Sequence, residues 1–301
     1  MPGYHLPWFA AADTGVFERH GLDVTILDPA PGPANTHRVA AGDADFCLTS
    51  IAHYLRAWAE KPGVAARFMF AVTQRTHMAA YVVDGRRMST GRVPLHPRDL
   101  DGARLGGTDD SGFTKAYRIF ARQTLGLADV PLVAMPYPDG MVALGEGTCD
   151  VFADFIDLMP RIQGRNPGVP LRAFRFADYG LSLYGSGMIT SDRLIRERPD
   201  IVGRMASAAR EALLSARDQP EVGLASLLRR YPETDPAYAR EGWRQSAGLI
   251  FGWEAERLGP GYFEADRWEE TIRYEAEVQG MPPPPPAATY DNQFVATLQE
   301  A

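Results

Sequence analysis

The sequence predicts an α/β protein of two lobes, each a mainly parallel sheet flanked by helices, with a helical C-terminal extension. Helical and strand patterns alternate over roughly the first 190 residues, which is typical of βα units around parallel strands. Two polar stretches interrupt the alternation, and from residue 192 onward the pattern is almost wholly helical. A chain of 301 residues also suits two domains, since one domain usually takes roughly 100–200 residues.

The first block of elements opens with a helix over 7–19. Gly21 ends this helix, because glycine readily adopts the left-handed conformation that follows many helices, and the strand DVTILD comes next at 23–28. Apolar runs predict the other strands of the block. Its further elements are a short helix at 35–41, the strand DADFCLTS, a helix at 51–61 and the strands ARFMFAVT and MAAYVVD.

A second block follows a connector at 87–102 that is rich in proline and glycine. The predicted elements are the strand ARLGGT, a helix at 111–125, the strand VPLVAMPY, a helix at 139–146, the strand CDVFADF, a helix at 156–163 and the strand LRAFRF. A second connector, FADYGLSLYGSGMITS, merges into a strand. The two connectors predict that the chain crosses between the lobes twice, so that lobe 1 comprises 1–87 plus 186–301 and lobe 2 comprises 88–185. Two crossings are typical of a hinged cleft that closes on a small ligand.

The C-terminal region has helical periodicity. In PDIVGRMASAAREALLSARDQ, residues Ile201, Met205, Ala209 and Ala212 recur at spacings of four, four and three, which predicts one buried stripe. The stretch MPPPPPAAT predicts a polyproline II spacer, and DNQFVATLQEA predicts a last short helix that docks back on the protein.

Composition excludes several function classes. The net charge is −7 and no basic face is apparent, so a nucleic-acid partner is not expected. Cys47 and Cys149 stand far apart without a metal-binding spacing, so neither a metal nor another cofactor is expected. No apolar run approaches the ~18 residues of a membrane span, and no signal peptide is apparent. The sequence as it stands therefore predicts a cytoplasmic protein without membrane insertion.

The opening PGYHLPWFAAADTGVFERHGLDVTIL resembles that of the type II periplasmic substrate-binding proteins of the nitrate, alkanesulfonate and thiamine-pyrimidine group. The matching positions are His5, Ala11, Gly15, Phe17, Gly21, Leu22 and Val24. Further similar stretches come in family order: AAGDADFCLTS, HPRDLDGARLGGTDDSGFTKAY, DGMVALGEGTCDVFAD, RERPDIVGRMASAAREAL and YDNQFV. The resemblance covers nearly the whole chain. It implies the type II periplasmic-binding-protein fold, binding of a small molecule, delivery to an ABC permease and a monomeric state.

The sequence departs from that family pattern in two ways. Family members carry an export signal and a first strand, whereas Met1 and Pro2 stand where that strand should end. The resemblance therefore implies a periplasmic or cell-surface location if a leader precedes this chain. The cysteine-rich motif of the thiamine-pyrimidine synthases is also missing, which argues against that enzymatic branch.

Ligands in such folds sit at the carboxyl ends of strands, which directs attention to the residues just after each strand. In lobe 1, His5 and Trp8 lie in the loop and first turn of the first helix, where they could contact a planar ligand or pack in the core. Thr49 and Ser50 end a strand, so their hydroxyls can face the cleft or cap the next helix.

Lobe 2 supplies a strand-to-helix turn with Asp109, Ser111 and Gly112, followed later by Tyr137 and Asp154. Free N–H groups at a helix start favour an anion, but the carboxylates of this turn would repel a sulfonate or phosphate. Tyr184 flanks the second connector. Aromatic rings combined with carboxylates predict a neutral or cationic, planar, nitrogen-containing ligand such as a pyrimidine or an amine.

Three functions remain open on these residues. The preferred one is a solute-binding protein that needs no nucleophile or base. The alternative is an enzyme on the same fold, similar to the pyrimidine synthases, desulfinases or decarboxylases, in which His5 would be the acid or base and Cys47 the nucleophile. A buried, inert Cys47 is the simpler interpretation. The third possibility is a cytoplasmic ligand sensor.

Overall fold

The computed structural model describes residues 3–30 and 32–296. It divides into two compact units. Unit 1 combines the residues up to Arg75 with those from Leu183 onward, and unit 2 runs from Thr76 to Ser182.

Unit 1 is built on a three-stranded sheet whose order is β1-β8-β2. Its strands are β1 (Phe46–Ser50), β2 (Ala66–Thr73) and β8 (Ser186–Ser191). β8 runs antiparallel to both neighbours, with Thr73 opposite Ser186 at one end of the β2 ladder. The prediction of a mainly parallel sheet is wrong here, because β8 enters between the two earlier strands in the opposite direction.

Unit 2 contains a mixed five-stranded sheet of order β5-β4-β6-β3-β7. Its strands are β3 (Met78–Val83), β4 (Leu105–Gly107), β5 (Leu132–Ala134), β6 (Val151–Phe155) and β7 (Leu171–Arg175). β4 is parallel to β5 and β6, but β3 is antiparallel to both of its neighbours. The pairing of β3 also corrects the predicted boundary at residue 87, because β3 belongs to this sheet and not to lobe 1.

Helices flank both sheets. In unit 1 they are α1 (Leu6–Asp13), α2 (Val16–Arg19), α3 (Ala34–Ala41), α4 (Ile51–Glu60), α8 (Asp192–Glu197), α9 (Pro199–Asp218), α10 (Pro220–Arg230), α11 (Pro236–Ile250), α12 (Trp253–Leu258), α13 (Ala265–Gln279) and α14 (Gln293–Ala296). In unit 2 they are α5 (Gly112–Ile119), α6 (Tyr137–Glu146) and α7 (Met159–Arg165). The helical C-terminal extension is confirmed, and the rest of the predicted last helix, 297–301, lies outside the described residues.

Two predictions for the N-terminal region are wrong. The helix over 7–19 is interrupted at Gly15, whose φ of 72° lies in the left-handed region. Residues 23–28 form no strand; Val24 and Ile26 pack against the core, but the segment joins no ladder of the described sheets. The alternation of apolar residues thus indicates only that one side of this segment is buried. An extended segment can be buried on one side with or without a partner strand.

The core of unit 1 lies on both faces of its sheet. One cluster joins α1 to α9, where Met205, Ala209 and Ala212 are buried as the periodicity predicts. The other is aromatic: Phe68 packs edge-on against Trp268 at 5.2 Å, and Phe263 packs against Trp268 at 4.7 Å. Within the described ranges, no helix combines the length and apolar character needed to cross a membrane.

Candidate functional site

Asp154 occupies the end of β6 in unit 2 and is completely buried. The Tyr137 hydroxyl donates a hydrogen bond to Asp154 Oδ2 at 2.7 Å, and the Phe155 amide donates to Oδ1 at 2.8 Å. Tyr137 is the first residue of α6, so the start of a helix and the end of a strand supply the pair. The structure therefore brings together two of the residues that the sequence predicts for the site.

Two aromatic rings, Phe113 and Phe155, lie beside this pair. The Phe113 ring stacks on Tyr137 with centroids 5.6 Å apart, and it meets Phe155 edge-on at 5.1 Å. Phe113 is the second residue of α5, which places the helix start with Ser111 and Gly112 beside the Tyr137 ring. This arrangement offers flat apolar faces next to a carboxylate.

A second acidic residue, Asp157, comes three residues after Asp154, in the short 3-10 helix Ile156–Leu158 that follows β6. Its Oδ1 is buried without a hydrogen-bond partner. His77, a buried residue just before β3, packs edge-on against Phe155 at 5.5 Å, and its carbonyl accepts a hydrogen bond from the Ile156 amide at 2.8 Å. Unit 2 thus collects two carboxyl groups and one imidazole at the end of β6.

Burial dominates the electrostatics of these groups. It raises the pKa of Asp154 to about 6, against the opposing effect of the Tyr137 and Phe155 hydrogen bonds. Burial likewise raises the pKa of Asp157 and lowers that of His77, although the charges of these two groups stabilise each other. At neutral pH the site therefore holds the Asp154 carboxylate, which accepts hydrogen bonds, and a neutral His77 imidazole.

The turn before α5 is more exposed. The Asp109 carboxylate pairs with Arg118 of the same helix at 2.6 Å. Ser111 is the N-cap of α5, but its hydroxyl makes no capping hydrogen bond. The Asp110 carboxylate accepts a hydrogen bond from Thr108, which lowers the pKa of Asp110. The turn therefore carries negative charge, as the sequence predicts.

In unit 1, Ser50 is the N-cap of α4 and accepts a hydrogen bond from the His53 amide at 3.2 Å. Thr49 is buried beside it. Cys47 lies on the same strand with its thiol directed at the Leu48 carbonyl, 3.3 Å away. Burial raises the pKa of Cys47 to about 11, which is the opposite of what an activated nucleophile needs.

His5 and Trp8 both pack in unit 1. The His5 ring meets Tyr4 at 5.0 Å, and burial lowers the pKa of His5 to about 4. Trp8 belongs to the main hydrophobic cluster, and its indole Nε1 is buried without a hydrogen-bond partner. A role for either residue in ligand binding stays a prediction.

Tyr184 also lies in unit 1, where it is buried in the aromatic cluster. Its hydroxyl oxygen accepts a hydrogen bond from the Glu264 amide at 2.8 Å, and the Arg267 guanidinium lies over its ring at 4.2 Å. These contacts are those of a core residue, and a role for Tyr184 in ligand binding stays a prediction.

Three residues that belong with the candidate site were missed by the sequence analysis: His77, Phe113 and Asp157. A usable signal existed for His77, because the polar run QRTH directly follows the buried strand ARFMFAVT. Phe113 and Asp157 carried no such signal, since a Phe near a helix start and an Asp after a strand are common. In the part of the chain that the structure describes, no group of three or more His, Cys, Asp or Glu side chains could hold a metal ion.

Solved structures with the same architecture define the class of fold. The periplasmic aliphatic sulphonate binding protein SsuA from Escherichia coli is 13% identical, with a TM-score of 0.69 over 90% of this chain and 82% of that one. A ligand binding component of an ABC-type import system from Staphylococcus aureus is 9% identical, with a TM-score of 0.67 over 98% and 95%. The desulfurization enzyme DSZB is 18% identical, with a TM-score of 0.58 over 98% and 95%. The protein therefore has the α/β periplasmic-binding-protein fold.

The amino-acid sequence shows the family to which the chain belongs. A family model described as NMT1/THI5-like matches residues 3–222, and the chain belongs to that family. The resemblance to the type II binding proteins is confirmed by this match together with the fold. No curated protein sequence matches the chain significantly.

Proposed function

We propose that the protein binds a small solute as the substrate-binding component of an ABC-type uptake system. The observation that carries the proposal is the buried Asp154–Tyr137 pair within the aromatic rings of unit 2. Structures of the same fold include proteins named as ligand-binding components of import systems, which supports the role. Binding requires no covalent step, which suits a site whose buried carboxylate accepts hydrogen bonds.

The ligand class follows from the site's chemistry. Carboxylates attract N–H donors and cations, and flat rings stack on planar ligands or on a ligand cation. The ligand that we propose is therefore planar, nitrogen-containing, and neutral or cationic, such as a pyrimidine or an aromatic amine. A sulfonate, which the SsuA neighbour is named for, would meet like charge at the Asp154 carboxylate.

Binding assays with purified protein test this proposal. Calorimetry and thermal shift would compare aminopyrimidines, aromatic amines and alkanesulfonates. We expect only the first two classes to stabilise the protein, and we expect Asp154→Asn to weaken them by at least about tenfold, since charge-assisted hydrogen bonds contribute roughly 1.5–3 kcal/mol. Asp84→Asn is the matched control because Asp84 follows the far end of β3 and pairs with Arg172 at 2.7 Å. Stabilisation by sulfonates alone would refute the ligand class.

An ABC permease as partner requires that the protein meet its transporter outside the cytoplasm. Fractionation of native cells with an antibody to the purified protein tests this directly. Recovery with periplasmic or surface proteins supports the uptake role. Recovery with cytoplasmic enzymes would favour an intracellular sensor and would exclude delivery to an import permease.

A further inference from the structure

The connection between β3 and β4 in unit 2 contains a concentration of positive charge. We call residues 85–98 the basic loop, because they contain no aspartate or glutamate and four arginines: Arg86, Arg87, Arg92 and Arg98. All four arginines are exposed. Unit 2 as a whole has equal numbers of acidic and basic residues, so the charge of the basic loop stands on a neutral unit.

The guanidinium groups of the basic loop lack acidic partners. Arg86 donates a hydrogen bond to the Leu144 carbonyl at 3.2 Å, and Arg87 donates to the Gly91 carbonyl. A carbonyl oxygen is neutral and does not compensate the charge of a guanidinium. Among the described residues, no carboxylate forms an ion pair with any of the four arginines of the loop.

The two carboxylates that flank the basic loop in the sequence are already engaged. Asp84 pairs with Arg172 of β7 at 2.7 Å. Asp99 accepts hydrogen bonds from the amides of Leu95 and His96 at 3.0 and 2.8 Å. The positive charge of the loop is therefore left for an external partner.

The backbone of the basic loop is fixed although its arginines are exposed. The Met88 amide donates to the Arg92 carbonyl at 2.8 Å, which closes a tight turn. The Met88 side chain is buried, and the Ser89 amide donates to the Asp150 carboxylate at 3.1 Å. Because the loop is ordered before it meets a partner, binding costs it little conformational entropy.

Leu95 gives the basic loop an apolar element. Its side chain is 66% exposed, which is the largest exposure among the large apolar residues that the structure describes. Arginines that bind headgroup phosphates, around an apolar side chain that enters the lipid interface, match the surface of an anionic bilayer. A protein partner usually needs about 20–30 residues on each side, which is more than this loop provides.

We propose that the basic loop binds the surface of a bilayer that contains anionic phospholipids. The contact is peripheral: the arginines bind headgroup phosphates and Leu95 enters the interface. The loop follows Val83 at one end of β3, whereas Ala79 near the other end stands opposite Asp154. The proposal is therefore independent of the solute site, and solute binding should be unchanged in variants of the loop.

Cosedimentation of the purified protein with vesicles tests the proposal. One set of vesicles contains phosphatidylcholine alone, and the other contains equal parts of phosphatidylcholine and anionic phosphatidylglycerol. We expect binding to the anionic vesicles only. Raising the salt concentration from about 0.1 M to about 1 M should release the protein, because screening shortens the reach of the charges from about 10 Å to about 3 Å.

The double variant Arg92→Gln/Arg98→Gln tests the arginines without removing a described side-chain hydrogen bond. Each arginine near an anionic surface contributes a factor of roughly five, so we expect binding to the anionic vesicles to weaken at least about tenfold. Arg240→Gln/Arg244→Gln is the matched control, since both are exposed arginines of unit 1 that pair with glutamates. The control has the same net charge as the test variant and should bind like the wild type.

Leu95→Ser tests the apolar contact separately. We expect binding to weaken about fivefold, because part of the favourable transfer of a leucine side chain out of water is lost. Leu27→Ser is the matched control, since Leu27 is 57% exposed in unit 1. All of these substitutions lie on the surface, so the melting temperatures should stay within about 2 °C of the wild type.

Two results would overturn the proposal. One is a failure to bind anionic vesicles, or binding that the arginine double variant and Leu95→Ser both leave unchanged. The other is binding to soluble poly-L-glutamate that depends on the loop arginines, without binding to vesicles, which would favour an acidic protein surface as the partner.

Discussion

The hydroxyl of Tyr137 donates a 2.7 Å hydrogen bond to a carboxyl group, Asp154, that is completely buried. The pair joins the first residue of α6 to the end of β6. Because burial raises the pKa of Asp154 to about 6, the folded protein binds a proton here more tightly than the unfolded chain does. The stability of the protein should therefore fall as pH rises from about 4 towards 6, and stay lower above it.

Replacing Asp154 by Asn should stabilise the ligand-free protein at pH 7.5. The change removes a buried charge and keeps an oxygen for the Phe155 amide, and we expect a gain of about 2 kcal/mol in unfolding free energy. Urea denaturation at pH 4 and pH 7.5 measures the effect. The gain should vanish at pH 4, where the wild-type carboxyl is protonated, and Asp109→Asn should show no such gain. An equal gain at both pH values would contradict the raised pKa.

Asp150 should show the opposite pH dependence. Burial alone would raise the pKa of Asp150, but hydrogen bonds from Arg104 and Ser89 lower this pKa to about 2. Its stabilising effect is complete above pH 3.8 and is lost as pH falls towards 2. We expect Asp150→Asn to lower the melting temperature by several degrees at pH 7 and by less at pH 3. An equal loss of melting temperature at both pH values would mean that the charge of Asp150 is not the cause.

Gly187 in β8 should not tolerate a side chain. A Cβ there would lie 2.7 Å from both the Phe68 ring and the Phe70 carbonyl oxygen. We expect Gly187→Ala to lower the unfolding free energy by about 1–3 kcal/mol because the core is overpacked. Gly164→Ala in α7 is the control, since a Cβ there meets open space and alanine favours helices. Thermal denaturation of both variants gives the comparison, and equal stability would contradict the clash.

The enzyme alternative makes a prediction about thiol chemistry. Because burial raises the pKa of Cys47 to about 11, its alkylation by iodoacetamide should be slow at pH 7 and should still accelerate above pH 9. Mass spectrometry of the wild-type protein and of Cys47→Ala separates its signal from that of Cys149. A rate that is already maximal near pH 7 would restore Cys47 as a candidate nucleophile.

Sequence reasoning succeeded where a local rule carries the information. Asp154 lies near the end of a buried strand as the sequence predicts, and Ser50 caps α4, as hydroxyl residues often do. It failed where the outcome depends on distant residues. The strand at 23–28 needs a neighbouring strand that the described sheets do not supply, and the antiparallel direction of β3 and β8 depends on how the chain returns.

The pairing of Asp154 with Tyr137 shows the same limit. Each residue could be chosen from its place after a strand, but their hydrogen bond depends on the packing of α6 beside β6. Asp157 is the extreme case, because the lack of a hydrogen-bond partner for its Oδ1 is a property of its whole surroundings and has no pattern in the sequence.

The ladder between β2 and β8 has a consequence for how the chain can be rearranged. Thr73 stands opposite Ser186, and the Gly185 amide donates to the Thr73 carbonyl at 3.2 Å, although all of unit 2 separates them along the chain. In topological terms, unit 2 is an insertion at the tip of a β-hairpin. Excising Thr76–Ser182 and bridging the gap with a short turn would leave an ordinary two-stranded hairpin, a geometry suited to making each unit separately.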